Sequence, residues 1–427
     1  MLVRNSAPQF ESIKKIDLIK ANKIELKNGV SLYVINAGEQ DLCKVEVLFY
    51  AGTKYQQQAL VASYANKLCI EGTSKKTSEQ ISEEIDFYGS YLETECNSDW
   101  ASLKIYALNK YLRPSLNVLC QIITDANFPK EEFDIHNQNT FQQFLTRNKK
   151  VSDVAAANFQ EMLFGKDNFY GRKNTEADYS SITNEMVADF FNTNYSTQNM
   201  VVVASGKIED NQIAEIQETL GSIVKEGKKN SLLNLSFQQP ENFNHLIEKE
   251  DAVQSALRMG KPMFNKTHPK FAALQVVNTI LGGYFGSRLM KNIREDKGYT
   301  YGIGSGLVSK VEGGYWVISS EVGSDVCGSA LNETKKELSI LCNELVSEEE
   351  LSLVKNYMLG QHLKNCDGAF SLSDRFVGLL MYDLDYSYYD KYVKVINEIT
   401  PQNILKLCQE YLNPDTFLQL VVGKNPQ

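Results

Sequence analysis

Alternating apolar and polar positions near the start of the chain predict a β-hairpin followed by a third strand. Residues 24–27 and 30–35 carry this alternation and flank Asn28-Gly29, a pair that favours a tight type I′ turn. Residues 45–50 repeat the pattern of a strand. The chain therefore begins with β-structure.

Helical spacing of apolar residues follows between positions 57 and 70, and Gly72 is the predicted cap that ends this first helix. Thr77 and Gln80 have the spacing of a capping box and predict the start of a second helix. Strands and long helices then follow one another up to a buried strand at residues 200–204. This mixture of elements predicts an α+β fold.

The second half of the chain repeats the order of elements found in the first half. Its last segment, residues 416–424, resembles residues 199–207, and both end in Gly-Lys. A polar stretch at residues 225–250 predicts an interdomain linker. We therefore predict two homologous α+β domains, at residues 1–224 and 251–427, each with an antiparallel-dominated sheet covered by helices.

The composition is that of an ordinary globular protein, with 43% hydrophobic and 23% charged residues in a chain of 427. The net charge is −9 and the sequence has no basic stripe, so nucleic acid is not an expected partner. The first ten residues lack the charged and apolar regions of a secretory signal, and no apolar run has the length of a membrane span. We expect a cytoplasmic protein without a membrane span.

The positions of cysteine and histidine argue against disulfides and against a helical two-histidine zinc site. The eight cysteines are scattered and include no Cys-x-x-Cys pair, which favours free thiols in a reducing compartment. A helical zinc site needs two histidines on one face, with a glutamate as general base. No two of the four histidines lie within one helical turn of each other. They are His136, His245, His268 and His362.

One glycine-rich segment carries candidate chemistry. Its apolar residues predict a helix at 287–296 with Arg294 near the end, Gly298 as a left-handed cap and Tyr301 entering the next strand. A guanidinium and a phenol brought together donate hydrogen bonds to one carbonyl or oxyanion. The same spacing also fits an arginine placed by the helix dipole and a tyrosine packed in a sheet, and spacing alone favours that structural role.

This segment, Gly282-Gly-Tyr-Phe-Gly-Ser-Arg-Leu-Met-Lys-Asn-Ile-Arg-Glu-Asp-Lys-Gly-Tyr-Thr-Tyr301, resembles a motif of the insulinase/pitrilysin family of zinc metallopeptidases. The branch that includes the processing peptidases is similar in length. The loop Phe169-Tyr-Gly-Arg172 resembles a second motif of the family, without its proline. The resemblance covers about residues 20–424 and implies that the two domains form half of a clamshell. It also implies that Arg294 and Tyr301 contact substrate near the zinc, from the opposite half of the chamber.

The family's inverted zinc motif, His-x-x-Glu-His, is absent from the place that the resemblance gives it. Counting back from Gly72, the two histidines fall on Ser63 and Lys67, and the general base falls on Asn66. The third ligand, a glutamate, falls near Gln143. The resemblance therefore implies a degenerate zinc site, and the positive charge of Lys67 further disfavours a metal ion there.

Together these observations predict a non-catalytic, substrate-binding subunit of a heterodimeric zinc metalloendopeptidase. A homologous partner would hold the zinc, this chain would bind no cofactor, and Arg294 and Tyr301 would bind the carbonyl of a peptide substrate. This chain alone would be inactive. The alternative is a metal-free peptide-binding or assembly protein that acts as a homodimer. A third reading is an enzyme that binds zinc through other ligands.

Overall fold

The computed structural model of the protein describes residues 13–231 and 243–424. The expectation about a secretory signal falls on residues outside these ranges, and so does the middle of the predicted linker. The described residues contain two sheets, and helices pack against each of them.

The first sheet belongs to the N-terminal half. Its strands are β1 (Asn22–Glu25), β2 (Ser31–Asn36), β3 (Leu42–Phe49), β4 (Tyr91–Cys96), β5 (Ala101–Leu108) and β6 (Met200–Gly206). Its helices are α1 (Val61–Leu68), α2 (Ser78–Phe87), α3 (Leu112–Asp125), α4 (Lys130–Arg147), α5 (Val151–Phe164), α6 (Glu176–Ser181), α7 (Asn184–Asn194) and α8 (Asp210–Glu218). The strand order is β1-β2-β6-β3-β5-β4, and β2 and β6 form its one parallel pair.

The second sheet belongs to the C-terminal half. Its strands are β7 (Asn244–Glu248), β8 (Gln254–Met263), β9 (Thr300–Lys310), β10 (Gly313–Gly323) and β11 (Leu418–Gly423). Its helices are α9 (Phe271–Gly282), a π-helix (Met290–Asp296), α10 (Cys327–Asn343), α11 (Glu348–Lys364), α12 (Ala369–Leu380), α13 (Ser387–Glu398) and α14 (Pro401–Tyr411). The strand order is β7-β11-β8-β10-β9, and β7 and β11 form its parallel pair.

The two sheets share one topology once β1 is set aside. The order β2-β6-β3-β5-β4 matches β7-β11-β8-β10-β9 strand by strand, and the parallel pair occupies the same place in each. The remaining neighbours are antiparallel. The prediction of two homologous α+β domains with antiparallel-dominated sheets is therefore confirmed.

Two helices cross from one half of the chain to the sheet of the other half. α5 packs on β8 and β11, where Phe159 shares a buried apolar cluster with Leu418. α12 packs on β2 and β6, where Phe376 shares a cluster with Val203. Since apolar burial is the main stabilising contribution to folding, these exchanged helices hold the two halves together.

Both ends of the predicted linker make hydrogen bonds to a domain. Lys225 donates through Nζ to the carbonyl of Ile123 at 2.9 Å, and Asn230 donates through Nδ2 to the carbonyl of Tyr50 at 2.6 Å. At the other end, Asn244–Glu248 is strand β7 of the second sheet. The described part of the 225–250 stretch is thus attached to one domain or the other.

The predicted type I′ turn at Asn28-Gly29 is wrong. Gly29 has a φ of 79°, whereas Asn28 is not among the residues with positive φ, and a type I′ turn needs both. The turn is instead closed by a hydrogen bond from the Gly29 amide to the carbonyl of Leu26. The side-chain amide of Asn28 donates to the carbonyls of Leu220 and Ile223, a tertiary contact that the local pattern does not reveal.

The first predicted helix is shorter than expected, and its predicted cap is wrong. α1 spans only Val61–Leu68, and Gly72 pairs with Thr77 in an isolated β-bridge without a positive φ. The capping box that opens α2 is confirmed. The Thr77 side chain accepts from the amide of Gln80, and the Gln80 side chain accepts from the amide of Thr77.

Candidate functional site

Arg294 lies in a π-helix, Met290–Asp296, within the stretch 287–296 that was predicted as an ordinary helix. Its guanidinium stands over the ring of Phe285, with 4.5 Å between the guanidinium carbon and the ring centroid. An ion pair with Glu295, at 3.7 Å, lies beside it, and 29% of the Arg294 side chain remains exposed. π-helical turns recur at functional sites, so this local geometry is consistent with a functional role for Arg294.

Tyr301 lies in a β-bulge on β9, the edge strand of the second sheet. The register of β9 against β10 shifts between Ser320 and Val322, so that Tyr301 and Gly302 together oppose the single residue Glu321. A bulge of this kind redirects a side chain relative to the regular pleat. Tyr301 is 94% exposed.

The bulge is held by hydroxyl groups on both sides of Tyr301. Thr300 donates through Oγ1 to the carbonyl of Glu321 at 2.6 Å and accepts from the amide of Gly302 at 3.1 Å. Ser320 donates through Oγ to Thr300 Oγ1 at 2.9 Å. These bonds fix the backbone around Tyr301 without using its phenol.

Arg294 and Tyr301 come from neighbouring elements. The π-helix packs against β9, and the amide of Tyr299 donates to the carbonyl of Ile293 at 3.0 Å, which closes the connection between them. Gly298 has the predicted left-handed conformation, with a φ of 66°. Within residues 13–231 and 243–424, the guanidinium and the phenol are not hydrogen-bonded to each other. The guanidinium contacts Glu295 and the ring of Phe285, and the phenol has no hydrogen-bond partner among the described residues.

The three α1 residues that the resemblance aligned with the zinc motif lie in different environments. Ser63 donates through Oγ to the carbonyl of Leu60 at 2.8 Å. Asn66 is 2% exposed and donates through Nδ2 to the carbonyl of Ser102, on β5, at 3.1 Å. Lys67 is exposed. One of these side chains is therefore part of the core, and another points to solvent.

The neighbouring helix α4 carries Gln143, which is exposed. α4 contacts α1 through Tyr64, whose hydroxyl donates to Asn137 Oδ1 at 3.0 Å and whose ring meets that of His136 at 4.5 Å between centroids. Burial lowers the pKa of His136, and the positive charge of Lys67 lowers it further. The positive charge of Lys67 on α1 therefore lowers the pKa of a histidine on the facing helix α4.

The described part of the chain contains no group of three or more His, Cys, Asp or Glu side chains that could hold a metal ion. Its eight cysteines are all unpaired. No helix among the described residues is both long and apolar enough to cross a membrane.

Sequence analysis missed an ion-pair cluster that joins the two halves. Lys54, between β3 and α1, contacts Asp99 at 3.2 Å and Glu312 at 3.0 Å, and Glu312 lies in the turn between β9 and β10. Tyr170, from the loop Phe169-Tyr-Gly-Arg172, donates to Asp99 at 2.6 Å. Burial opposes the charge of Lys54, but Asp99 and its other negative neighbours outweigh burial and raise the pKa. No local pattern could reveal a pair separated by 258 positions.

Two family models match the chain in succession. Residues 33–178 match the model described as insulinase (peptidase family M16), and residues 181–358 match the model described as the peptidase M16 inactive domain. A protein from Rickettsia felis that carries the name of an uncharacterised zinc protease is 25% identical over 79% of this chain and 82% of its own length. The zinc protease YmxG of Bacillus subtilis, also described as uncharacterised, is 20% identical over 92% of this chain and 96% of its own length.

Solved structures show the same fold. A crystal structure of a peptidase M16 inactive domain from Pseudomonas fluorescens superposes with a TM-score of 0.86 at 20% identity, covering 95% of this chain and 98% of the other. A protease from Helicobacter pylori also gives 0.86, at 14% identity, covering 95% of this chain and all of the other (100%). The chain belongs to the insulinase family, peptidase family M16. Its C-terminal half matches the inactive-domain model, and its N-terminal half matches the insulinase model without carrying the sequence His-x-x-Glu-His.

Proposed function

We propose that this protein is the substrate-binding subunit of a heterodimeric zinc metalloendopeptidase, and that Arg294 and Tyr301 bind the carbonyl of the peptide to be cleaved. One observation carries the proposal. Tyr301 is 94% exposed on a bulge that other side chains hold in place, and a short connection joins its strand to the π-helix that carries Arg294. Its phenol has no hydrogen-bond partner in the described part of the chain, and an exposed tyrosine on a fixed backbone is suited to bind a ligand.

The chemistry follows from the two donors. When a water molecule attacks a peptide carbonyl, negative charge develops on the carbonyl oxygen. The guanidinium of Arg294 carries a permanent positive charge, and the phenol of Tyr301 donates one hydrogen bond. Both would stabilise the developing charge, so they would lower the barrier to hydrolysis without taking part in proton transfer.

The other components of the reaction belong to the proposed partner. That partner is a homologous subunit with an intact His-x-x-Glu-His motif, which would bind zinc and activate the attacking water. The present chain would bind no metal and would be inactive alone. We place the complex in the cytoplasm.

The test is reconstitution of the complex. The chain is co-expressed with a family member that carries the zinc motif, and peptide hydrolysis by the purified mixed complex is measured with wild-type chain and with Arg294→Ala. We expect kcat to fall by about 10²–10³-fold, the usual effect of removing one oxyanion donor. Lys291→Ala, on the same π-helix and exposed, is the matched control and should leave kcat unchanged.

Two results would contradict the proposal. One is a mixed complex in which Arg294→Ala and wild type hydrolyse peptide equally well. The other is a chain that forms only a stable homodimer and never a complex with a zinc-bearing homologue, which would favour a metal-free peptide-binding or assembly protein. Size-exclusion chromatography with light scattering separates the two assemblies.

A further inference from the structure

A cavity of about 500 Å³ lies in the C-terminal domain. It is bounded by α9, β9, α11 and α13, and by one side chain of α12. The polar side chains that matter for its chemistry are Lys266, His362, Arg375, Tyr388 and Tyr392. Among the residues that the structure describes, no aspartate or glutamate lines it.

The two cations of this cavity have aromatic rings and long hydrogen bonds as partners. Lys266 Nζ lies 4.5 Å from the ring centroid of Tyr382, and the guanidinium carbon of Arg375 lies 5.5 Å from that of Tyr389. Lys266 donates through Nζ to the carbonyl of Gly378 at 3.4 Å, and Arg375 donates through Nε to the carbonyl of Asn365 at the same distance. Both distances lie beyond the usual range for N–H···O hydrogen bonds. Neither cation forms an ion pair within the described residues. Burial lowers the pKa of Lys266, and the charge of Arg375 lowers it further.

His362 adds a donor without an acceptor. The residue is 3% exposed, and its Nδ1 lies 3.3 Å from Nη2 of Arg375. A guanidinium only donates hydrogen bonds, so Nδ1 accepts and the neutral ring carries its proton on Nε2. Nε2 is buried and has no partner among the described residues. Buried polar groups of native proteins almost always have a hydrogen-bond partner, so an acceptor is expected for this N–H.

We propose that this cavity binds an oxyanion, a carboxylate or a phosphate, through Lys266, Arg375 and the Nε2–H of His362. Two positive charges without a carboxylate beside them, together with a donor that lacks an acceptor, are complementary to such a group. Asp383 and Asp385 line an adjoining cavity that shares Lys266, and they lie outside the lining of this one. The oxyanion belongs either to a phosphorylated small molecule or to the C-terminal end of a peptide.

The test is calorimetric titration of the full chain without any partner subunit. The probes are inorganic phosphate, acetate, and one short peptide with either a free or an amidated C-terminus. We expect an oxyanion probe to bind wild type, and Lys266→Met and Arg375→Gln to weaken that binding about tenfold or more, because each removes a charged donor. Lys270→Met is the matched control. This lysine pairs with Glu410, does not line the cavity and should not affect binding.

A second measurement locates the binding. With only four histidines in the chain, NMR of histidine-labelled protein resolves the ring of His362, which a His362→Gln variant assigns. Binding of the probe should shift the His362 resonance and leave that of His136 in place. Binding of phosphate alone identifies a phosphorylated ligand, and binding of the free but not the amidated peptide identifies a peptide end.

The proposal is overturned if no probe binds, or if the His362 resonance stays unshifted at saturation. It is also overturned if Lys266→Met binds as tightly as Lys270→Met. Thermal unfolding of each variant establishes that it is folded, and the NMR readout on wild type does not depend on any substitution. Because the chain is titrated alone, the result is independent of whether Arg294 acts in a heterodimeric peptidase.

Discussion

The helix α1 in the first domain and the segment from Arg294 to Tyr301 in the second are the two regions to which the resemblance assigned functional residues. They differ in what their side chains contact. On α1, Asn66 is bonded inside the core and Ser63 is bonded to its own helix. Around Tyr301, the neighbouring hydroxyl groups hold the backbone, and the tyrosine itself is left exposed.

Under the proposed function, this difference separates side chains that serve the fold from a side chain that serves a ligand. A polar side chain that is buried and bonded contributes to stability, and its removal is felt in folding. A large aromatic side chain in water contributes little to folding, so its removal should change the free energy of unfolding only slightly. Stability measurements can therefore distinguish the two regions.

The largest effect on the free energy of unfolding is expected at the ion-pair cluster of Lys54, Asp99 and Glu312, which joins the two halves of the molecule. Lys54→Met leaves Asp99 and Glu312 without their buried cation, and breaking such a cluster costs about 3–5 kcal/mol in the free energy of unfolding. Because the pKa of Lys54 is raised in the folded state, its contribution is present at neutral pH and is lost only as the pH rises through that raised value. Chemical denaturation at pH 7 measures the effect.

The matched control for Lys54→Met is the same substitution at the exposed Lys67, which should change the free energy of unfolding by no more than about 0.5 kcal/mol. Equal stability of Lys54→Met and Lys67→Met would show that the ion-pair cluster does not hold the domains together.

The next effect concerns α1 itself. Asn66→Leu removes the donor to the carbonyl of Ser102 and should lower the free energy of unfolding by about 1–3 kcal/mol. Ser63→Ala removes only a bond within the helix end and should cost less than about 0.5 kcal/mol. A larger loss of unfolding free energy in Ser63→Ala than in Asn66→Leu would contradict a structural role for Asn66 in α1.

A smaller effect is expected at the bulge. Thr300→Val keeps the shape of the side chain but removes the hydroxyl that bonds Glu321 and Gly302, at a cost of about 1 kcal/mol. Tyr301→Ala should stay within about 0.5 kcal/mol of wild type, because the phenol is in water. Urea denaturation compares them, and a large destabilisation by Tyr301→Ala would assign the tyrosine to the fold.

The smallest effect reports on the charge that α1 now carries. Lys67 lowers the pKa of His136 on α4, so Lys67→Met should raise that pKa. NMR titration of the histidine ring measures the change. Lys75→Met, another exposed lysine of the first domain, is the control and should leave the pKa of His136 unchanged. No difference between the two variants would place Lys67 away from α4.

Much of the fold could be predicted because it depends on local and repeated patterns. The capping box at Thr77 needs only residues three positions apart, and the duplicated order of elements is visible in the chain itself. The turn at Asn28 could not be predicted, because its amide is bonded to residues almost two hundred positions away.

The candidate site shows the same limit. Resemblance to the family identified Arg294 and Tyr301, and the left-handed Gly298 between them follows from the pattern. The β-bulge depends on the register of β9 against β10, which no residue in the segment specifies. The roles of Lys54 and His362 could not be predicted either, because each depends on a partner that comes close only in the folded chain.

The exchange of α5 and α12 between the halves has a consequence for the chain as a whole. Each half carries a layer that the other half needs, so neither can bury its own sheet completely. A gene cut between residues 231 and 243 would yield two fragments that stay poorly folded apart and regain structure on mixing, each acting as template for the other. The duplication has thus produced two mutually dependent folding partners rather than two autonomous modules.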